Sequence, residues 1–272
     1  MDAAAGTRGA LVRLEDNRPR LVRALIQAEA NRVEHLSNLA GGARFKGLEE
    51  LLLHLDAIEE YFRESEPLQN LAFLVRRTTS DIETALEATL SGYLSVAADA
   101  MRDVMEIEML LLDFALDWTR VDEWLTANRR ERLRHFRPAV LRERLRAAGA
   151  GRFGSPSDDV DYRAHSEALH VSPRRSPIQP GLADPGHGFG HDMGFWEIYE
   201  HARRVLIAID GCIECCARMG DRTLKPNPAP TSALSSFEDG WQRTQEMQTI
   251  FVALIQATLE ISDENEAAEL ET

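Results

Sequence analysis

Leucine, isoleucine and alanine recur at three- and four-residue intervals along most of this chain, whereas the alternation of β-branched and polar residues that marks strands is scarce. A period near 3.6 belongs to helices that bury one stripe, so the pattern predicts an all-α, multi-helix bundle. The first helix starts at Thr7 or Pro19 and runs to Ala40, where Gly41 and Gly42 stop it; the second covers Leu48 to Glu66, ahead of Pro67. Ser80 and Glu83 have capping-box spacing, which predicts a helix start there even with 68–77 helical. Gly92 then separates that helix from the next, 93–117, or kinks it. Shorter helices are predicted over 119–130, 138–148 and 159–170, and longer ones over 192–219 and from the "SSFE" cap at 235–238 to Ile261.

Breakers divide these segments. "GAGRFGSPS" (149–157), the proline- and glycine-rich loop 172–190 and "GDRTLKPNPAPTS" (220–232) cannot hold regular structure. No repeat of 20 to 50 residues is visible. The pattern therefore describes a single helical domain over 1–262, and an acidic tail, 263–272, too poor in apolar residues to be ordered.

The most apolar stretch, "MEIEMLLLDFALDW" (105–118), carries Glu106, Glu108, Asp113 and Asp117, so it reads as a core helix and not as a membrane span. The N-terminus lacks a basic leader followed by an apolar run, and Cys212, Cys215 and Cys216 form an odd, clustered set. Both features predict a cytoplasmic protein with free thiols and no membrane partner.

Net charge is −14, yet twelve arginines face six acids between Arg129 and Arg175, a local excess of +6. Such a segment suits phosphate, and it equally suits docking on acidic helices of the same molecule. Arg129, Arg130, Arg134, Arg142, Arg146, Arg174 and Arg175 are the candidate RNA contacts.

Within that segment, "DYRAHSEALHVSP" (161–173) holds the candidate chemistry. On a helix, Arg163 and His170 fall on one face about 10 Å apart along the axis, with Ser166 and Glu167 between them. A guanidinium offers paired donors to non-bridging phosphate oxygens, and an imidazole exchanges protons near neutral pH. Together they suit phosphodiester cleavage by a ribose 2′-hydroxyl without a metal. The alternative is an exposed face in which Arg163 pairs weakly with Glu167 and His170 caps the last turn.

"LSGYLSVAADAMRDVMEIEMLLLDFALD", "VDEWL" and "YRAHSEALHVSP" together resemble a group of uncharacterised bacterial all-helical proteins, over about residues 80–172. On that resemblance Gly92, Tyr93, Arg102, Glu106, Trp124, Tyr162, Ser166 and His170 carry the shared pattern, with Arg102, Glu106 and Tyr162 orienting the site. The Arg-to-His spacing is also similar to that of the HEPN superfamily, many of whose members are dimeric, metal-independent endoribonucleases. This likeness implies a HEPN-like core, about 80–219, with additional N- and C-terminal helices, a homodimer, and RNA as substrate. Six residues between Arg163 and His170 is the longest spacing of that pattern, and Ala164 stands where active members place a polar residue.

Other constellations carry less. Asp99, Arg102, Asp103, Glu106, Asp113 and Asp117 share one stripe, expected to be solvated, the alternative being a buried Arg102–Glu106 pair that orients the His170 helix. Glu197 and His201 have a metal-ligand step but lack companions at the right spacing, so they are expected as an exposed pair beside His187 and His191, with no metal and no cofactor. The cysteines read as buried small hydrophobes. No Walker loop, dinucleotide fingerprint or nucleophile elbow occurs. The competing function is a non-catalytic helical module whose basic segment meets an acidic partner.

Overall fold

The structure, a computed structural model, describes residues 18–39, 41–150, 153, 189–219, 233–245 and 253. Among them every regular element is helical. In chain order they are α1 (Pro19–Leu39), α2 (Ala43–Glu64), a 3-10 turn at Gln69–Leu71, α3 (Ala72–Ser91), α4 (Leu94–Leu116), α5 (Thr119–Thr126), α6 (Arg129–His135), α7 (Pro138–Ala147), α8 (Phe189–Arg218) and α9 (Ser235–Gln245). The all-α bundle expected from the periodicity is present.

The core is built around α4. Its apolar residues Met101, Val104, Leu111 and Phe114 are fully buried and join one cluster with Leu51, Leu55 and Phe62 of α2, Val75 and Ile82 of α3, and Phe195, Val205 and Ile209 of α8. The α8 helix lies along α4 in the same direction. Gly194, near its start, is so close to Thr89 that a Cβ would sit 2.5 Å from Thr89 Cγ2, and Cys212, near its end, donates its thiol to Leu111 O at 3.1 Å. Cys212 and Cys216 are buried, as small hydrophobes should be, and Cys215 is half-buried.

Helix α3 ends on Gly92, whose φ of 83° and ψ of 14° are left-handed, with Tyr93 N donating back to Ala88 O at 2.7 Å. A left-handed residue closes the helix at little cost only when it is glycine. Carbonyls left over at this terminus are taken by α1: His35 Nδ1 donates to Leu90 O at 2.8 Å and Asn31 Nδ2 to Ser91 O at 3.3 Å. Since a carbonyl only accepts, the His35 proton sits on Nδ1.

Several boundaries differ from expectation: α2 starts at Ala43 instead of Leu48, and α8 starts at Phe189, inside the expected loop 172–190. Ser80 begins no helix, because the buried stripe Leu74, Val75, Thr78, Ile82, Ala85 runs through it and keeps α3 continuous; the Ser80 carbonyl accepts from Thr84 Oγ1 at 2.8 Å. The single helix expected over 119–130 is split at Ala127 and Asn128, both in extended backbone. The helices expected over 159–170 and from 246 to 261, the loop 172–190 and the tail 263–272 lie outside the described residues, apart from 189–190 in α8 and the helical residue 253.

Candidate nucleic-acid interface

The arginine-rich segment begins on α6, a seven-residue helix that exists because its ends are satisfied locally. Asn128 Oδ1 accepts from Arg130 N at 2.9 Å and Glu131 N at 3.1 Å, and Glu131 Oε2 accepts from Asn128 N at 2.8 Å, a complete capping box. Arg132 Nη1 donates back to Ala127 O at 2.6 Å, so one arginine is spent on the preceding turn. Glu131, the one acid of α6, is spent on the cap. Arg129, Arg130 and Arg134 are exposed, and the basic residues of the last turn face the negative end of the helix dipole.

Helix α7 is anchored instead. Pro138 occupies its first turn, where a missing N–H costs nothing, and Leu141 and Leu145 are buried in the common core. Arg144 Nη1 stands 3.1 Å from Asp113 Oδ2 on α4 and its guanidinium lies 5.6 Å from the centroid of the Phe136 ring. Arg120 Nε, on α5, approaches Asp113 Oδ1 at 3.8 Å and Asp117 Oδ2 at 3.3 Å. Burial pushes the Asp113 carboxyl up to about 6, against the pull of Arg120 and with a push from Asp117 and Glu123. Arg146 is exposed, but Arg142 is only 7% exposed and is not presented to solvent with the others.

The α4 stripe is not uniformly solvated. Asp99 is exposed, whereas Arg102 and Asp113 are buried, because neighbouring helices close over two sides of α4. Arg102 Nε donates to Glu106 Oε1 at 3.1 Å, with the Glu106 side chain 42% exposed. The pair therefore forms, half sunk into the bundle.

Glu197 and His201 are also corrected. They are buried at 3% and 0% exposure, with His201 Nε2 3.0 Å from Glu197 Oε2, because this face of α8 is turned into the core. Among the described residues no three histidines, cysteines or carboxylates gather as a metal would require. The neighbouring Glu200 is raised by burial, but Arg204, the Trp241 indole and His201 outweigh that and hold it below the usual range.

Arg163, Ser166, Glu167, His170, Tyr162, Arg174 and Arg175 lie outside the described residues, as does His187. Residues that the sequence reading passed over are Arg77 and Asp81 of α3, which meet Asp103 of α4: Arg77 Nη2 donates to Asp103 Oδ2, and its Nε is 3.8 Å from Asp81 Oδ2. Their i, i+4 spacing was the available signal. No protein-family model matches the chain, and neither a curated protein nor a solved structure matches it. No helix among the described residues is long and apolar enough to cross a membrane.

Proposed function

We propose that the protein is an RNA-directed helical bundle of HEPN-like type, in which the segment 129–175 engages the phosphate backbone and Arg163 with His170 cleaves it. The observation that carries the binding half is the exposure of Arg129, Arg130 and Arg134 on one short helix whose only acid is occupied by its own cap. Three guanidiniums without a neutralising acid on the same helix form a phosphate-binding surface even in a chain of net charge −14.

The cleavage half rests on the sequence. His170 takes the proton of the ribose 2′-hydroxyl, the oxygen attacks its own phosphorus, and the bond to the 5′ oxygen breaks as that oxygen takes a proton from water, leaving a 2′,3′-cyclic phosphate and a 5′ hydroxyl. Arg163 stabilises the charge that gathers on the non-bridging oxygens. Ser166 and Glu167 orient the pair, and Arg102, Glu106 and Tyr162 position its helix. The resemblance adds a homodimer.

A second reading is favoured by the inward pairing of Arg144 with Asp113 and the burial of Arg142. Part of the basic segment serves the bundle itself, as in a non-catalytic interaction module. Incubation of the purified protein with total RNA separates the two. Cleavage that persists in chelator and vanishes in His170→Ala supports the enzyme; an inert, folded protein supports the module. Activity that needs a metal moves attention to His187, His191, Glu197 and His201.

A further inference from the structure

A cavity of about 170 Å³ opens between α3, α4, α5 and the α6–α7 junction. Its floor is apolar, from Leu110 and Leu141, and its walls are Trp124 and Phe136. Trp124 is held in place by Phe73, stacked at 5.9 Å with an interplanar angle of 5°, and by Phe114 at 5.7 Å. The mouth carries Arg77, Asp103 and Glu106. An apolar cavity of about 150 Å³ admits a benzene ring, so this one accepts a body of about that size.

The mouth decides what head group such a body carries. Arg77 is tied to one oxygen of Asp103, and Arg102 to one oxygen of Glu106. Asp103 Oδ1 and Glu106 Oε2 accept no hydrogen bond among the described residues. Among the described residues these two acceptors stand open, and their guanidinium partners are already engaged. A third carboxylate lies alongside, Asp81, near Arg77. Among these five side chains, three carboxylates stand against two guanidiniums. Burial first, and the charge of Asp103 second, push the Asp81 carboxyl up to about 6 against the pull of Arg77, as expected where negative charge is under-compensated.

We infer that this cavity is a binding site for a small organic cation, a primary ammonium on a ring-sized apolar body, with the body on Leu110, Leu141, Trp124 and Phe136 and the ammonium on Asp103 and Glu106. An anion meets two carboxylates there and a neutral ring leaves the open acceptors to water. The cavity shares Glu106 with the proposed cleavage site, but amine binding is read without RNA, so failure of one reading is distinguishable from failure of the other. Phe136 lies between α6 and α7 and Pro138 opens α7, so a ligand in the cavity braces the junction from which the exposed arginine helix projects.

The test is calorimetric titration of the full-length protein with phenethylamine, 2-phenylethanol and 3-phenylpropionate at neutral pH. Phenethylamine is expected to bind one to one and roughly tenfold more tightly than either control, the equivalent of one charge-assisted hydrogen bond. Asp103→Asn and Glu106→Gln, both conservative and at the rim, are each expected to weaken the amine by a similar factor while leaving 2-phenylethanol unchanged. Carboxyl resonances should also show Asp81 titrating at lower pH when the amine is bound. Failure of the amine to bind, equal binding of the propionate, or indifference to both substitutions overturns the inference. Tighter binding of guanosine than of phenethylamine also overturns it, in favour of a nucleobase pocket.

Discussion

Arg144 of α7 reaches 3.1 Å from Asp113 of α4, a carboxylate whose side chain is 1% exposed. This contact fastens the arginine-rich segment to the centre of the bundle. Removing the guanidinium leaves a buried carboxylate with only the more distant Arg120 to balance it. Arg144→Ala should cost about 1–3 kcal/mol, below the range for a fully buried pair because Arg144 keeps some solvent contact and Arg120 remains. Urea denaturation measures it.

The two raised aspartates set a pH dependence with a definite sign. Between about pH 4 and 6 the folded chain holds protons on Asp81 and Asp113 that the unfolded chain has released, so their effect on stability becomes less favourable as pH rises through that window. A displacement of about two pKa units has a ceiling of about 3 kcal/mol. Asp81→Asn cannot ionise, and it should flatten this part of the stability profile by about 1–2 kcal/mol when denaturation at pH 5 and pH 7 is compared. A profile unchanged by the substitution contradicts the assignment.

His54 works in the opposite direction. Burial lowers it, despite the nearby Asp210 and Glu50, so it stays neutral in the fold while the unfolded chain takes up a proton near 6.5. Its contribution is complete above that pH and is lost as pH falls through the depressed folded value. His54→Gln should remove this acid-side loss; the imidazole resonance followed by NMR identifies the residue directly.

The capping box of α6 is a local device with a local readout. Asn128→Ala should cost about 1 kcal/mol and speed hydrogen exchange at the amides of Arg130 and Glu131, with little change at Leu111 or Val205 in the core. Uniform acceleration across the chain would show that α6 folds only with the whole bundle.

For the exposed arginines the informative variable is salt. If Arg129, Arg130 and Arg134 contact phosphates, replacing each with alanine should reduce the slope of log affinity for single-stranded RNA against log salt by about 0.7. Arg142→Ala, at a buried position, should alter stability without altering that slope. Equal slopes for all variants remove α6 from the interface.

How much of this was legible beforehand depends on whether a residue's neighbours are near in sequence. The helices α1, α4, α7 and α8 follow from apolar period and breakers, and Gly92 from its chemistry. The break between α5 and α6 was written in Asn128 and Glu131, a cap inside a stretch that periodicity alone joins into one helix. Burial of polar groups was less accessible. Glu197 and His201 pattern as a surface pair, and only the packing of α8 along α4 puts them inside. Asp81 and Asp103 lie on different helices, so their shared charge problem becomes visible only once α3 and α4 are side by side. Of the candidate cleavage face, Arg163, Ser166, Glu167 and His170 lie outside the described residues, while the hydrogen bond between Arg102 and Glu106 is formed.

The thiol that Cys212 points at the Leu111 carbonyl is fully buried, and burial raises its pKa well above that of a free cysteine. Only the thiolate reacts with alkylating agents, so this sulfur is silent until α8 lifts from α4. Cys215, half-buried one turn along, supplies a faster reference on the same helix. The chain thus contains its own stopwatch: the lag between the two alkylation events times how often the central helix pair comes apart.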